Sequence, residues 1–266
     1  YRNDLRSFDE LNVEDLDLKA EFQAESEKST RNLKLAADAV LSASLGSDSN
    51  TDKMERTLVQ LSVNLPGLLV GDRESAQTLI RKVKTLLNNG KPDSRPDRRP
   101  FHWQLEFPEV FLRTNPGFDV IVVNPPFLGG QRITGTLGTD YREFLVSVFG
   151  GGERGSADLS AYFLHRFAQL TRSQGVFASI STNTIGQGVS ERIGLARLIG
   201  EHGCSLIKAI SSRPWPGSAA VEVAIIWLMK GSWSGIRFLN DEVVEQISSS
   251  LKKVSRVLGQ PQLLLE

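Results

Sequence analysis

Residues 118–127 read FDVIVVNPPF, and this stretch decides the fold. Phe118 to Val123 is a short, continuous apolar run rich in β-branched side chains, which predicts a strand buried on both faces of a mostly parallel sheet. Asn124, Pro125, Pro126 and Phe127 follow at once. Each proline fixes its own φ and pushes the residue before it out of the helical region, so Asn124 and Pro125 are both held extended. In an open α/β sheet, ligands bind beyond the carboxyl ends of the strands, where this stiff loop must lie. It offers an Asn amide, the Pro125 carbonyl and an aromatic face. Two acceptors and a stacking surface suit a planar exocyclic amine, with Asn124 Oδ1 and the Pro125 carbonyl taking its N–H groups and Phe127 supporting the ring.

Working outward, the spacing predicts helices at Tyr141–Phe149 and Ala157–Thr171, a second buried strand at Val176–Ser181, a helix at Ser190–Glu201 and a strand at Leu206–Ile210. Val221–Leu228 reads as an antiparallel edge strand, because its connection from Ile210 is too short for a helical crossover. Alternating strands and helices give an α/β fold: a partial Rossmann-like sheet, mostly parallel. Before Phe118 the texture is helical, with stretches at Leu5–Leu45, Asp52–Leu61 and Arg73–Leu87. The segment KPDSRPDRRP (Lys91–Pro100) holds three prolines and four bases against two acids, which predicts an extended, exposed segment. It is read either as a solvated linker or as a phosphate contact through Arg95, Arg98 and Arg99. The expected organisation is a helical region at 1–90, a linker at 91–100, a catalytic half-domain at 101–239 and, from 240 to 266, the start of a helical connection.

The chain has 266 residues and 31 basic against 31 acidic side chains, so its formal charge is zero. A duplex-binding protein usually shows a basic excess, so any nucleic-acid function has to rest on a site rather than on bulk charge. The balance is uneven: the first thirty residues carry nine acids and four bases. Cys204 is the single cysteine, no secretory leader is evident, and the apolar run Ala219–Met229 is too short to span a bilayer. A cytoplasmic protein without a membrane span is expected. His102, His165 and His202 lie far apart without Cys or carboxylate at ligand spacing, so no metal site is expected. No serine lies in a G-x-S-x-G elbow, which argues against hydrolase chemistry.

Motif and flanks together resemble the γ-type N6-adenine DNA methyltransferases, in particular the large type IIG restriction–modification enzymes and those of the phage-growth-limitation and BREX defence systems. Asn-Pro-Pro-Phe at a strand end is similar to that family's catalytic motif IV; relatives acting on RNA and on protein glutamine carry Asn-Pro-Pro-Tyr. The flanking blocks FHWQLEFPEVF (Phe101–Phe111), ADLSAYFLHRF (Ala157–Phe167), STNTIGQG (Ser181–Gly188), WPGSAAVEVAIIWL (Trp215–Leu228) and LNDEVVEQISSSL (Leu239–Leu251) look like successive blocks of these enzymes. The resemblance implies a site-specific methyltransferase that moves a methyl group from S-adenosylmethionine to an adenine flipped out of double-stranded DNA, with restriction or BREX-type proteins as partners. It assigns Asn124 and Pro125 to the target amine, Pro126 to the same loop, Phe127 to stacking on the base, and Asn124 also to the edge of the cofactor pocket.

The family's glycine-rich cofactor turn and its ribose-binding acid precede motif IV, and neither is found before Asn124. The G-x-G-x-x-G spacing at Gly150, Gly152 and Gly155 follows a predicted helix and reads as a helix end. The chain is therefore expected to be the middle of a longer enzyme, with its cofactor motif upstream and its target-recognition domain after Glu266. A non-catalytic DNA-binding or assembly fragment is the alternative. Three further residues are candidates for substrate or DNA contact. Asp158 reads as a helix N-cap, and the resemblance implies that its block also borders the cofactor or target pocket. Arg132 lies in the Gly/Thr-rich stretch Leu128–Gly138, a mobile lid or a plain linker. Trp215, between two prolines, is a stacking or wedging residue or part of the core.

Overall fold

The computed structural model describes residues 13–216 and 221–254. The acidic first dozen residues and the apolar end Leu263–Leu265 lie outside them. Two compact units emerge: one runs to Pro116 and adds Arg132–Gly152, and the other comprises Gly117–Gln131 and the described residues from Glu153 onward. No described helix is long and apolar enough to cross a membrane.

The first unit is helical. Helices α1 (Val13–Leu45), α2 (Thr51–Ser62), α3 (Leu65–Leu69) and α4 (Arg73–Asn88) are followed by short turns α5 (Trp103–Glu106) and α6 (Pro108–Phe111). The polar break after α1 closes on Asn50, whose side chain accepts from Lys53 N and caps α2. Asp72 caps α4 in the same way, accepting from the backbone of Glu74 and Ser75. Hydrogen bonding to Ser75 holds this carboxyl below its ordinary range, with the backbone of Glu74 adding to the effect. Ala39, Ala43 and Leu45 of α1 meet Leu79, Val83 and Leu87 of α4 in one apolar core, together with Leu61 and Leu68.

Lys91–Pro100 is largely exposed, as expected, but not at Arg98. Arg95 and Arg99 are exposed, but Arg98 is half-buried. Its guanidinium forms a two-pronged bridge to Asp140, at 2.5 and 2.9 Å, and also donates to the carbonyls of Leu87 and Leu137. Arg98 is thus a structural clamp rather than a phosphate contact. Tyr141 packs beside it, with the Arg98 guanidinium carbon 5.5 Å from the ring centre. Burial raises the Tyr141 phenol above its ordinary value, and Arg98 acts in the opposite sense.

The second unit is α/β. Its strands, among the described residues, are β1 (Phe118–Val123), β2 (Thr171–Thr182), β3 (Cys204–Pro214), β4 (Glu222–Lys230), β5 (Arg237–Leu239) and β6 (Glu242–Val244), in sheet order β1-β2-β4-β3-β5-β6. The pairings make β1, β2, β3 and β5 run one way and β4 and β6 the other, so the sheet is mostly parallel in strand direction. The antiparallel strand expected at Val221–Leu228 is not at the edge. As β4 it lies between β2 and β3, which a short connection permits when the third strand folds back between the first two. The antiparallel edge is β6, joined to β5 by Asn240 and Asp241, both with positive φ, as a tight hairpin turn requires. Residues 240–254, expected to open a helical connection, hold this strand and a bridge between Ile247 and Lys253 instead.

Phe177, Ile226 and Leu228 are fully buried in the sheet, and Tyr162 and Leu164 of helix α9 (Leu159–Leu170) are equally buried. The helix expected at Ser190–Glu201 widens into a π turn at Arg192–Ala196. There the Ile193 carbonyl lies 2.5 Å from His165 Nε2. Burial depresses the His165 pKa, so the neutral ring donates this bond and acts as a core fastener. Cys204 is buried too, its thiol pushed up to about 11 by desolvation, which leaves it unreactive.

Candidate active site

The site begins where β1 ends. Because β1 and β2 pair in parallel, with Val123 opposite Ser179, their carboxyl ends emerge together. Within the loop Asn124 and Pro126 are exposed, Pro125 is buried and Phe127 is half-buried. Among the described residues no side-chain hydrogen bond engages the Asn124 amide. A buried proline beside an exposed amide is a stiff base carrying a free acceptor, since the ring fixes φ while its neighbour projects.

The far end of the loop is pinned by helix α9. Leu159 N donates to the Leu128 carbonyl at 2.9 Å, and Asp158 caps the helix by accepting from Ser160 N at 2.9 Å. Ser190 Oγ in turn accepts from Asp158 N. Gly130 makes this approach possible. A Cβ there would stand 2.3 Å from the Ser156 carbonyl carbon and 2.6 Å from the Ala157 oxygen, both backbone atoms. Gly130→Ala is therefore expected to push the loop off the start of α9, lowering turnover at least tenfold with a smaller loss of thermal stability. Single-turnover kinetics beside a thermal melt check this, and equal falls in both would show a general folding defect.

Asp158 is 6% exposed and committed to its cap, next to the loop. Arg132 is exposed on α7 (Gly130–Leu137). That helix corrects the expected lid or linker, despite its glycines and threonines. Ile133 is fully buried, and Gly138 N closes the last turn on Thr134 O; burial of one large side chain outweighs weak local propensity. Helix α8 (Thr139–Val148) follows, and the glycine triad lies at its end. Gly150 N and Gly152 N return to Leu145 O and Val146 O, and Gly151 and Gly152 take positive φ, so this is a helix-ending turn. Trp215 is half-buried just beyond β3, its backbone N–H bonded to Val221 O at 2.9 Å.

Register adds polar residues at the same sheet edge that sequence reasoning missed. Asn183, directly after β2, donates from its amide to Ser212 Oγ of β3, and Ser212 bonds Glu222 at the start of β4. Asn183, Gln187, Ser211 and Lys252 line a cavity of about 290 Å³ here. Asn183 and Ser212 are 29 positions apart, so only strand pairing could reveal the group. Among the described residues no cluster of His, Cys, Asp or Glu could hold a metal ion.

Residues 24–197, which include this loop, match the Eco57I restriction-modification methylase family. The chain belongs to that family. Among solved structures it is similar to the type IIL restriction-modification enzyme MmeI in complex with DNA, at 24% identity over 52% of this chain and 20% of that one, with a TM-score of 0.42. It is also similar to the type IIG restriction endonuclease BpuSI, at 21% identity over 45% of this chain and 14% of that one, TM-score 0.33. A third is a modification subunit of a putative type I restriction enzyme from Vibrio vulnificus YJ016, at 17% identity over 62% of this chain and 32% of that one, TM-score 0.30. The chain thus spans about a fifth of the length of MmeI. No curated protein matches it.

Proposed function

We propose that this member of the restriction-modification methylase family carries the acceptor-side catalytic loop of a DNA adenine-N6 methyltransferase, with S-adenosylmethionine as methyl donor, in a restriction or phage-defence system. The observation that supports this most is the loop itself: Asn124 projects from the end of β1 on a buried Pro125, with Phe127 half-buried beside it. In this reading Asn124 Oδ1 and the Pro125 carbonyl accept the two N–H bonds of the exocyclic amine. The nitrogen lone pair is thereby drawn out of conjugation and directed, so positioning and electrostatics replace a strong base. Phe127 stacks on the base once it has left the duplex, where N6 is otherwise out of reach. Arg132 and Trp215 are proposed DNA contacts, and Asp158 supports the loop.

The described residues do not fit the cofactor's own cradle. The glycine triad ends a helix instead of joining a strand to one, so no step is drawn through the cofactor from this chain. The open side of β1 supports a complement elsewhere. Contrary to a strand buried on both faces, β1 pairs with β2 alone among the described residues, and Val120 and Val122 are 61% and 77% exposed. Further strands and a covering layer, from the rest of the protein or from a partner chain, would bury them and hold the cofactor.

Nucleoside analysis of duplex DNA after incubation of the full-length enzyme with methyl-labelled S-adenosylmethionine should show label in N6-methyladenine. Label in a cytosine, or in protein alone, would overturn the proposal. Phe127→Ala should weaken capture of the extruded base by about 1–3 kcal/mol, the range for base–aromatic stacking.

A further inference from the structure

The helical unit opens a groove of about 990 Å³ between α1 and α4. It follows α1 from Ala24 to Asp38 and α4 from Arg73 to Asn88, a length of roughly 20 Å at 1.5 Å per residue. Its apolar base is closed: Leu68, Val83 and Leu87 are 3–5% exposed, which leaves Ile80, at 40%, as the main apolar surface. A helix from another protein would find little to bury there. Charge projects instead, with seven basic side chains against four acidic ones among the lining residues.

The acids are already engaged. Asp38 meets His102 at 2.6 Å, Asp97 meets Lys84 at 3.0 Å, Glu27 accepts from Gln23 and Asp72 caps α4. The hydrogen-bonded Lys84 ammonium holds the Asp97 carboxyl below its usual range, with Arg99 adding a smaller share. Lys34 and Arg98 are likewise paired, with Glu106 and Asp140. Arg31, Arg73 and Arg99 are exposed and form no ion pair among the described residues. Three free guanidiniums on a long polar groove match phosphate, which takes the planar fork through paired N–H bonds.

We infer that this groove is a track for the phosphodiester backbone of duplex DNA, gripped by Arg31, Arg73 and Arg99. The inference rests on the reading of the protein as a DNA-modifying enzyme. Three guanidiniums spread along a groove of this length can each take a phosphate of one strand. Such contacts carry no sequence information; they fix register and raise affinity for any duplex.

The test compares the full-length enzyme with its R31Q/R73Q/R99Q variant on a duplex lacking the recognition site, by fluorescence anisotropy over a salt series. The slope of log affinity against log salt should fall in magnitude by about 2–3, at roughly 0.9 for each phosphate no longer neutralised. R81Q/K82Q, which removes two exposed charges of α4 that do not line the groove, should leave the slope nearly unchanged. An unchanged slope in the triple variant overturns the inference, as does an equal fall in the control, which would mean net charge alone. So does loss of binding to an acidic protein with DNA affinity unmoved. If adenine methylation is found and the slope does not move, the groove falls alone. If the slope falls but no adenine is methylated, the groove stands without the methyltransferase reading.

Discussion

Asn124→Ala in the full-length enzyme is expected to lower methyl transfer to DNA by about 10²–10³-fold or more, the cost of removing one preorganised polar group at a reacting centre. The fold should be almost untouched. The side chain is exposed and makes no hydrogen bond within the described residues, and changes at such positions usually stay within about 0.5 kcal/mol. Asn124→Asp keeps an acceptor oxygen in nearly the same volume, replacing the amide N–H₂ by a second oxygen, and should retain more activity than the alanine variant. That ordering separates an acceptor role from one needing the amide N–H₂. Single-turnover methylation of a duplex, with thermal unfolding measured beside it, reads both effects. Undiminished methylation by Asn124→Ala would remove the loop from the chemistry.

Arg98→Ala is expected to be the most damaging single change in the helical unit. The Arg98 and Asp140 side chains are only 15% and 11% exposed, so losing the guanidinium leaves a carboxylate desolvated and largely unpaired. Breaking one partner of such a pair costs about 3–5 kcal/mol. The Leu87 and Leu137 carbonyls, at the ends of α4 and α7, lose their donor as well. Hydrogen exchange of the α4 and α8 amides should accelerate about 10²–10³-fold, with the β2 and β4 amides affected far less. Asp140→Ala made in the same chain should restore part of the loss, because the stranded charge is then gone. Strictly additive losses would reduce the bridge to an ordinary surface pair.

The contrast between Arg98 and Asn124 shows how far sequence reasoning reaches. The exposed place of Asn124 at a strand end was legible because it is local: an apolar run makes the strand, and two prolines stiffen the loop after it. Arg98 stands among prolines and other bases that mark an exposed segment, and its partner is 42 positions away. Nothing within a few residues announces the bridge. Helix α7 carries the same lesson, since Gly and Thr weaken its propensity while the burial of Ile133, a tertiary fact, decides for helix. The interior place of β4 also escaped the sequence, because a short connection allows either edge or insertion and only pairing with both β2 and β3 selects between them.

Sequence alone determined the α/β class, the bounds of β1, the α4 helix, the helix-ending role of the glycine triad and the chemical character of the Asn124–Phe127 loop. These follow from periodicity, proline geometry and capping, which act over a few residues. Tertiary structure alone decided that β1 keeps an exposed face, that Asn183, Ser212 and Glu222 meet at one sheet edge, and that Arg98 is bound while Arg31, Arg73 and Arg99 form no ion pair among the described residues. Burial and pairing depend on residues tens of positions apart, and a linear pattern does not encode which of its charges will find a partner.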